Sequence, residues 1–370
     1  MSMLVLIIIQ NIIFSIYTAY HLYLSFFTKY KKSAVISLII LICNSFIITR
    51  SIEKLSDYQI HDFFIFISDI FLGLFIYIFI FYLLTDIIKL ILKLFKISFI
   101  NHYIQGIIVV IISVIICILG FINSHLTKVN EYNIALNKTI HTPFTIAALS
   151  DIHIGSDMTA ERLYKKIQII NNLKPDFVLI AGDIIDNNIN DFTEEYIEQF
   201  KKIEAPFGIY AVFGNHEYYS GSQKDVLSVF NKAGFTTLID DIAYIPEKEV
   251  YIIGRDSLRH SSSSNNERTD IEILYSKIDD KTKPVIIVDH IPKSPQDGIK
   301  INADIQISGH THDGQFFPVN LIVKKMYEVS YGMKKYDGFH FLVTSGLGLW
   351  GPPFRVGTNS EIVLINVTNK

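Results

Sequence analysis

Phe144-Thr145-Ile146-Ala147-Ala148-Leu149-Ser150-Asp151-Ile152-His153 is a short apolar run that ends on a carboxylate and an imidazole two residues apart. Within it, Thr145–Leu149 reads as a buried strand. The same arrangement returns four more times. Phe177–Ala181 leads through Gly182 to Asp183, and Ile209–Phe213 leads through Gly214 to Asn215-His216-Glu217. Val285–Asp289 leads to His290, and Ile305–Ser308 leads through Gly309 to His310-Thr311-His312. Helical periodicity separates the early strands, over Thr159–Asn172, Thr193–Ile203 and Ser222–Ala233, with Thr159 placed to cap the first. Further strands are expected at Val250–Gly254, Phe339–Thr344 and Glu361–Val367, and Ser261–Asn266 reads as a surface loop. Strands alternating with helices of this length predict a layered α/β sandwich. In such folds, sites are built on loops at the carboxyl ends of strands, where these islands fall.

The islands supply carboxylate, amide and imidazole groups, enough to hold two divalent ions. A paired metal site is the simplest device for hydrolysing a phosphate ester at neutral pH. Imidazole favours Mn, Fe or Zn over Mg or Ca, which prefer oxygen shells. One Asp-x-His pair would be a turn and a surface histidine more often than a site. Five islands in order, holding five of the 12 histidines, are another matter. Cysteine chemistry is excluded: Cys43 and Cys117 are the only two, both in apolar stretches. The net charge of −3 and the lack of a basic block give no signal for nucleic acid.

Taken in order, Asp-x-His, Gly-Asp, Gly-Asn-His-Glu, His and Gly-His-x-His resemble the calcineurin-like metallophosphoesterases over about Phe144 to Val367. The resemblance is strongest to a membrane-attached bacterial branch, the YkuE-type enzymes and the UDP-diacylglucosamine pyrophosphohydrolases. The tail from Ser345-Gly346-Leu347-Gly348 to Phe354-Arg355 is similar to that branch's closing segment. The resemblance implies a four-layer α-β-β-α sandwich and a phosphoesterase or phosphodiesterase with two divalent ions. It gives Asp151, His153, Asp183 and His312 to one ion, and Asp183, Asn215, His290 and His310 to the other. Attack would come from a hydroxide shared by the ions, with His216 stabilising the transition state or protonating the leaving oxygen. Asp186 and Glu217 are expected to orient ligands, and Asp289 to end its strand. Asp313 replaces the family's more usual glycine in a turn that Asp tolerates. Arg355 is expected to bind substrate phosphate or to form a surface salt bridge. His141, His260 and His340 match no motif.

Half of the 370 residues are hydrophobic, and the excess lies before about residue 125. Four stretches there have the length and character of bilayer spans: Leu4–Phe27, Ala34–Ile48, Phe63–Leu84 and Ile104–Ile122. The second is short and carries Asn44. Lys89, Lys93 and Lys96 make a basic amphipathic extension after the third. The first charge, Lys29, follows the first apolar run, which argues against a cleaved signal peptide. Basic residues in the first and third loops place those loops in the cytoplasm and the metal-bearing part outside. The expected organisation is a membrane domain at 1–125, a linker at 126–142 and a catalytic domain at 143–370. A lipid-linked or other envelope phosphoester is the expected substrate, with membrane lipids as neighbours. The competing reading is a four-helix sensor or transporter-like protein whose phosphoesterase domain binds ligand without turnover. Against it, Asp69 is the one carboxylate well inside a span.

Overall fold

A computed structural model describes residues 3–55, 62–155, 157–257 and 268–370. Two compact units emerge, one running to Ile122 together with Gly351–Phe354, the other comprising Asn123–Trp350 and Arg355–Lys370. The expected closing segment is therefore divided between them.

The first unit is helical: α1 (Met3–Leu22, continuing as a π-helical turn over Tyr23–Phe27), α2 (Lys32–Cys43), α3 (Ser45–Leu55), α4 (Asp62–Leu94) and the start of α5 (His102–His125). Among the described residues, Phe63–Leu94 and His102–His125 are long and apolar enough to cross a membrane. These contain the third and fourth expected spans, and α4 runs on as one helix through Lys89 and Lys93. The second expected span, Ala34–Ile48, is instead two helices meeting at 57°; counted as one, it makes three. The break falls at Asn44, whose side chain donates to the Ile40 carbonyl at 2.7 Å and to Ser15 Oγ at 3.3 Å. Such side-chain bonds to the backbone compete with the helical ladder. The first expected span, Leu4–Phe27, includes side chains at residues 4–9 that lie outside the described ones.

The second unit contains two six-stranded sheets, ordered β1-β12-β2-β3-β4-β5 and β10-β11-β9-β8-β7-β6. In the first, β2 (Phe144–Leu149), β3 (Phe177–Ala181), β4 (Ile209–Val212) and β5 (Phe235–Leu238) run parallel, and β12 (Ser360–Asn369) is antiparallel to β2. In the second, β7 (Val250–Gly254), β8 (Val285–Val288), β9 (Ile305–Ser308) and β11 (Phe339–Val343) run parallel, flanked by antiparallel β6 (Asp241–Ile245) and β10 (Gly332–Tyr336).

Alternation along the strands divides the core into layers. Ile146, Ala148, Leu179, Ile252, Ile286 and Ile307 meet in one cluster between the sheets. Ala147, Leu149, Val178 and Ile180 face outward onto α6 (Ala160–Leu173), α7 (Glu194–Phe200) and the helix Gln223–Lys232. Tyr251, Ile253, Val285 and Ile287 form the corresponding outer layer of the second sheet with the helix Ile271–Ser276. The result is the expected α-β-β-α sandwich, whose central strands are buried on both faces and so read as continuous apolar runs. Thr159 accepts from the Arg162 amide and caps α6 as expected.

One expectation gives way here. The stretch 126–142, read as a linker, holds β1 (Thr127–Leu136), which pairs in parallel with β12 along its whole length. It is an edge strand with only Ile134 and Leu136 buried, and so lacks the apolar run that marks the central strands.

Candidate metal centre

Each island leaves its strand in a bend that most side chains avoid. Asp151, His153, Asp183, His310 and His312, five of the seven expected metal ligands, have φ between 49° and 69°. Left-handed backbone at a non-glycine residue costs about 1–3 kcal/mol and persists where the surroundings impose it. Asp313 shares the conformation at φ 50°, ψ 32°, so aspartate does replace glycine in that turn.

The loops hold one another. Asp151 and His153 donate their amides to the carbonyls of Gly182 and Asp183 at 2.9 and 3.1 Å. His310 donates its amide to the Asp151 carboxylate at 3.0 Å, and His216 donates its amide to Asp183 Oδ1 at 2.9 Å. Gly214 and Gly309 permit this closeness: a Cβ would lie 2.1 Å from Asp183 Oδ1 at the first and 2.4 Å from Asp151 Oδ2 at the second. The strongest clamp is the buried Glu217 carboxylate. It accepts from the amides of Asp183, Ile184, Ile185 and Gly214, at 3.0, 2.7, 3.1 and 2.6 Å. Sequence reasoning expected Glu217 to orient ligand side chains; it acts instead on the backbone that carries them.

The side chains gather into three nests: Asp151, His153 and His312; Asp183, His290 and His310; and His153, Asp186 and His216. In each, one ligand atom per residue lies within 4.8 Å of the others. His153 Nε2 and His312 Nε2 face each other at 3.1 Å, and His310 Nδ1 faces His290 Nε2 at 3.2 Å. Asn215 sits between Gly214 and His216 with its buried Oδ1 unpartnered among the described residues.

Hydrogen bonding shows that this set fits a cation. His290 Nδ1 lies 2.7 Å from the Ala181 carbonyl, to which it must donate. The Nε2 of the neutral ring is then a lone pair, 3.0 Å from an Asp183 carboxylate oxygen. Two lone pairs so placed need a positive charge between them. Without a metal, a proton serves: burial would lower the His290 pKa, but Asp183 raises it to about 10. Burial, with the Asp183 charge in support, pushes the Asp151 carboxyl up, although His290 opposes the shift. Its ionised form therefore also calls for a cation. Burial, then His153 and Arg355, holds His312 well below the ordinary histidine range, keeping the neutral, metal-binding ring.

His216, in the third nest, has 9% of its surface exposed. Its Nδ1 donates to the Asp186 carbonyl, and its ring lies edge-on to His153 with centroids 4.7 Å apart. Asp186 also offers Oδ1 to His153 Nδ1 at 3.3 Å and to His216 Nδ1 at 3.5 Å.

Two peripheral expectations change. Arg355, read as a phosphate binder or a surface ion pair, is fully buried. Its Nη2 donates to the carbonyls of Ser345 and Gly348 at 2.7 and 2.8 Å, and its Nη1 reaches the His312 carbonyl at 3.4 Å. The turn it holds packs on the first island, where Gly348 donates its amide to the Asp151 carbonyl at 2.7 Å. Asp289 does more than end a strand, since Arg268 donates to it at 2.6 Å. His340 is buried with Nδ1 3.4 Å from the Asp304 carbonyl, and the exposed His141 pairs with Glu249 at 3.3 Å. His260 lies outside the described residues.

Ligand nests at the strand ends of a two-sheet sandwich define a metallophosphoesterase domain. The chain belongs to the calcineurin-like phosphoesterases, a family of metal-dependent phosphoester hydrolases. The model of that family, described as Calcineurin-like phosphoesterase, matches residues 144–314. An uncharacterized metallophosphoesterase of Aquifex aeolicus is 30% identical over 253 residues, 67% of this chain and 95% of that protein. The uncharacterized metallophosphoesterase YkuE of Bacillus subtilis is 27% identical over 67% of this chain and 87% of its own. A Danio rerio protein described as a transmembrane protein with metallophosphoesterase domain is 27% identical over 60% of this chain. The chain spans 52% of that protein's length, and 64% of a Helicobacter pylori relative's.

Proposed function

We propose that Asp151, His153, Asp183 and His312 hold one divalent ion and that Asp183, Asn215, His290 and His310 hold a second. Asp183 would serve both, and Mn, Fe or Zn would suit the mixed imidazole and carboxylate donors. The observation that carries this reading is the pair of facing lone pairs on His290 and Asp183, next to a second nest of the same composition. When bound, the ions supply an acidified water as nucleophile and positive charge against the phosphoryl oxygens.

The chain's own residues do the rest. His216, with Nδ1–H engaged by the Asp186 carbonyl, keeps Nε2 for the leaving oxygen and, as the imidazolium, passes its Nε2 proton there as the P–O bond breaks, becoming the neutral ring. Glu217 and Arg355 fix the loops, so the ligands need little reordering when ions bind. The catalytic domain includes β1 and so begins near residue 123 rather than 143, and a membrane domain precedes it. The bias of Lys29, Lys31 and Lys32 and of Lys89, Lys93 and Lys96 favours a multi-pass topology with the catalytic domain outside the cytoplasm. Apolar helices in the same chain favour a lipid-linked or other envelope phosphoester as substrate.

The test uses full-length protein in detergent, stripped of metal and reloaded with Mn, Fe or Zn. Two ions per chain and metal-dependent hydrolysis of a chromogenic phosphodiester are expected. Fully loaded protein without turnover on mono- or diesters would overturn the proposal.

A further inference from the structure

The helix Val319–Met326 follows the turn that carries His312 and buries none of its residues. Gly314 lets it approach that turn closely, since a Cβ there would lie 2.4 Å from the Asn320 backbone. At about 100° per residue, the half-buried Val319, Asn320 and Val323 share one side of the helix. The remaining arc carries Leu321, Ile322, Lys324, Lys325 and Met326, all exposed. The solvent side of a surface helix is ordinarily polar. Here it sets large apolar side chains among ammonium groups.

The patch extends beyond the helix. Phe317 precedes it, and Gln315 holds Trp350 to the same segment: its Nε2 donates to the Trp350 carbonyl at 2.9 Å, and its Oε1 accepts from the Trp350 amide at 3.0 Å. Phe317, Leu321, Ile322, Met326 and Trp350 are each between 49 and 65% exposed. Apolar side chains scattered singly over a surface mean little, whereas a contiguous group rimmed by charge marks a contact surface. No acidic residue occurs between Gly314 and Tyr327.

The chemistry of the patch names its occupant. Exposed Leu, Ile, Met and Phe interleaved with lysine, without a carboxylate, complement acyl chains beneath anionic headgroups. Tryptophan belongs at the headgroup level of a bilayer. Chain continuity points the same way, because Trp350 is joined directly to Gly351–Phe354, which belong to the helical unit. In that unit a Cβ on Gly73 would lie 1.7 Å from the Phe354 ring, so the segment is seated on α4, a helix long enough to cross a membrane. A two-fold contact between copies of the chain through this face would instead bring the lysines of both copies together.

We propose that Phe317, the helix Val319–Met326 and Trp350 form a docking surface for an anionic lipid bilayer. Phe317, Leu321, Ile322 and Met326 enter the acyl boundary, and Lys324 and Lys325 meet lipid phosphates. Because the helix packs on the His312 turn, docking holds the metal centre at the lipid surface. The surface itself depends on neither metal nor hydrolysis.

The experiment uses full-length protein in phosphatidylglycerol nanodiscs, which leave both sides of the bilayer open. In a Cys43→Ala, Cys117→Ala background, Ile322→Cys carries an environment-sensitive fluorophore, and Lys224→Cys, exposed on the helix Gln223–Lys232, serves as the reference. Lipid with a nitroxide near its headgroup should quench the label at 322 roughly twofold or more and leave that at 224 nearly unchanged, for a helix seated about 5–10 Å deep. The same lipid should quench Trp350, the chain's one tryptophan. Phosphatidylcholine nanodiscs, or Lys324→Gln with Lys325→Gln, should lower the quenching, because each lysine at an anionic surface favours docking about fivefold. Equal quenching at 322 and 224, or free access of aqueous iodide to the label at 322, would overturn the surface. A label shielded from both iodide and lipid would assign the face to a protein partner or a second copy, and quenching indifferent to lipid charge and to the lysines would refute the anionic bilayer. Ile322, Lys324 and Lys325 are exposed, so these changes spare the core. Metal content and hydrolysis of the same samples report separately on the metal-centre proposal.

Discussion

His216 and Glu217 are neighbours with opposite tasks. His216 is proposed to work on the substrate, whereas Glu217 reaches back to hold four amides. His216→Ala should retain both metals, measured by elemental analysis, and lose on the order of a hundredfold or more in kcat, as removal of a positioned proton donor does. Unchanged turnover would refute the role. Glu217→Gln turns one acceptor oxygen into an NH2 group that opposes the amides it had served. A loss on the order of 3 kcal/mol in domain stability is expected, with weakened metal retention. An unaltered melting temperature at saturating metal would show that the clamp does not matter. The motif made the metal-facing residues legible, because acids and imidazoles after apolar runs have few other uses in such numbers. Glu217 and Arg355 were misread for one reason: both bond to backbone groups of other loops, and a sequence shows which side chains are present without showing which carbonyls and amides converge on them.

At the scale of elements, buried central strands were the easiest to read and edge strands the hardest. Phe177–Ala181, Val250–Gly254 and Ile305–Ser308 have the bounds their apolar runs suggest. By contrast β1, β5, β6 and β10 carry exposed, mixed residues, and only sheet pairing defines them. Helix α6 carries a further consequence of packing. Lys166 is buried on its inner face, where Nζ donates to Thr127 Oγ1 of β1 at 2.9 Å. Burial, reinforced by Arg162 and Arg355, lowers its pKa to about 7. The unfolded chain therefore binds more protons than the folded one between about pH 7 and the ordinary lysine value near 10.4. Stability from this group rises with pH across that window, and the penalty is complete below it. Lys166→Met should thus stabilise the fold most at pH 6.5, by a few kcal/mol at about 1.4 kcal/mol per pKa unit, less the lost bond to Thr127. The gain should shrink by pH 9.5. Thermal unfolding of both proteins at the two pH values checks the sign; a gain that grew with pH would contradict it.

At the scale of the whole molecule, the proposed topology decides which side of a membrane would carry the chemistry. The helical unit concentrates its ionisable groups in two places on α4. Asp69 pairs with Arg50 at 3.5 Å, and 17 residues further on Asp86 meets Tyr17, His21 and Lys89 at 2.7, 3.1 and 3.5 Å. At 1.5 Å per helical residue the two clusters are about 25 Å apart along the axis, near the thickness of a hydrocarbon layer. They bracket an apolar stretch of α4, as interfacial pairs would, which removes Asp69 from the middle of a span and weakens the transporter-like alternative. Lys89 belongs to the end of α4 followed by Lys93 and Lys96, so that end is cytoplasmic if basic residues set orientation. A single crossing by α5 then carries the catalytic domain outside. In a Cys43→Ala, Cys117→Ala background, a cysteine replacing the exposed Lys224 should react with a membrane-impermeant maleimide in intact cells, and a cysteine replacing Lys93 should react only after lysis. Labelling at the two positions in the reverse order would put the metal centre in the cytoplasm and restrict its substrates to phosphoesters on that side.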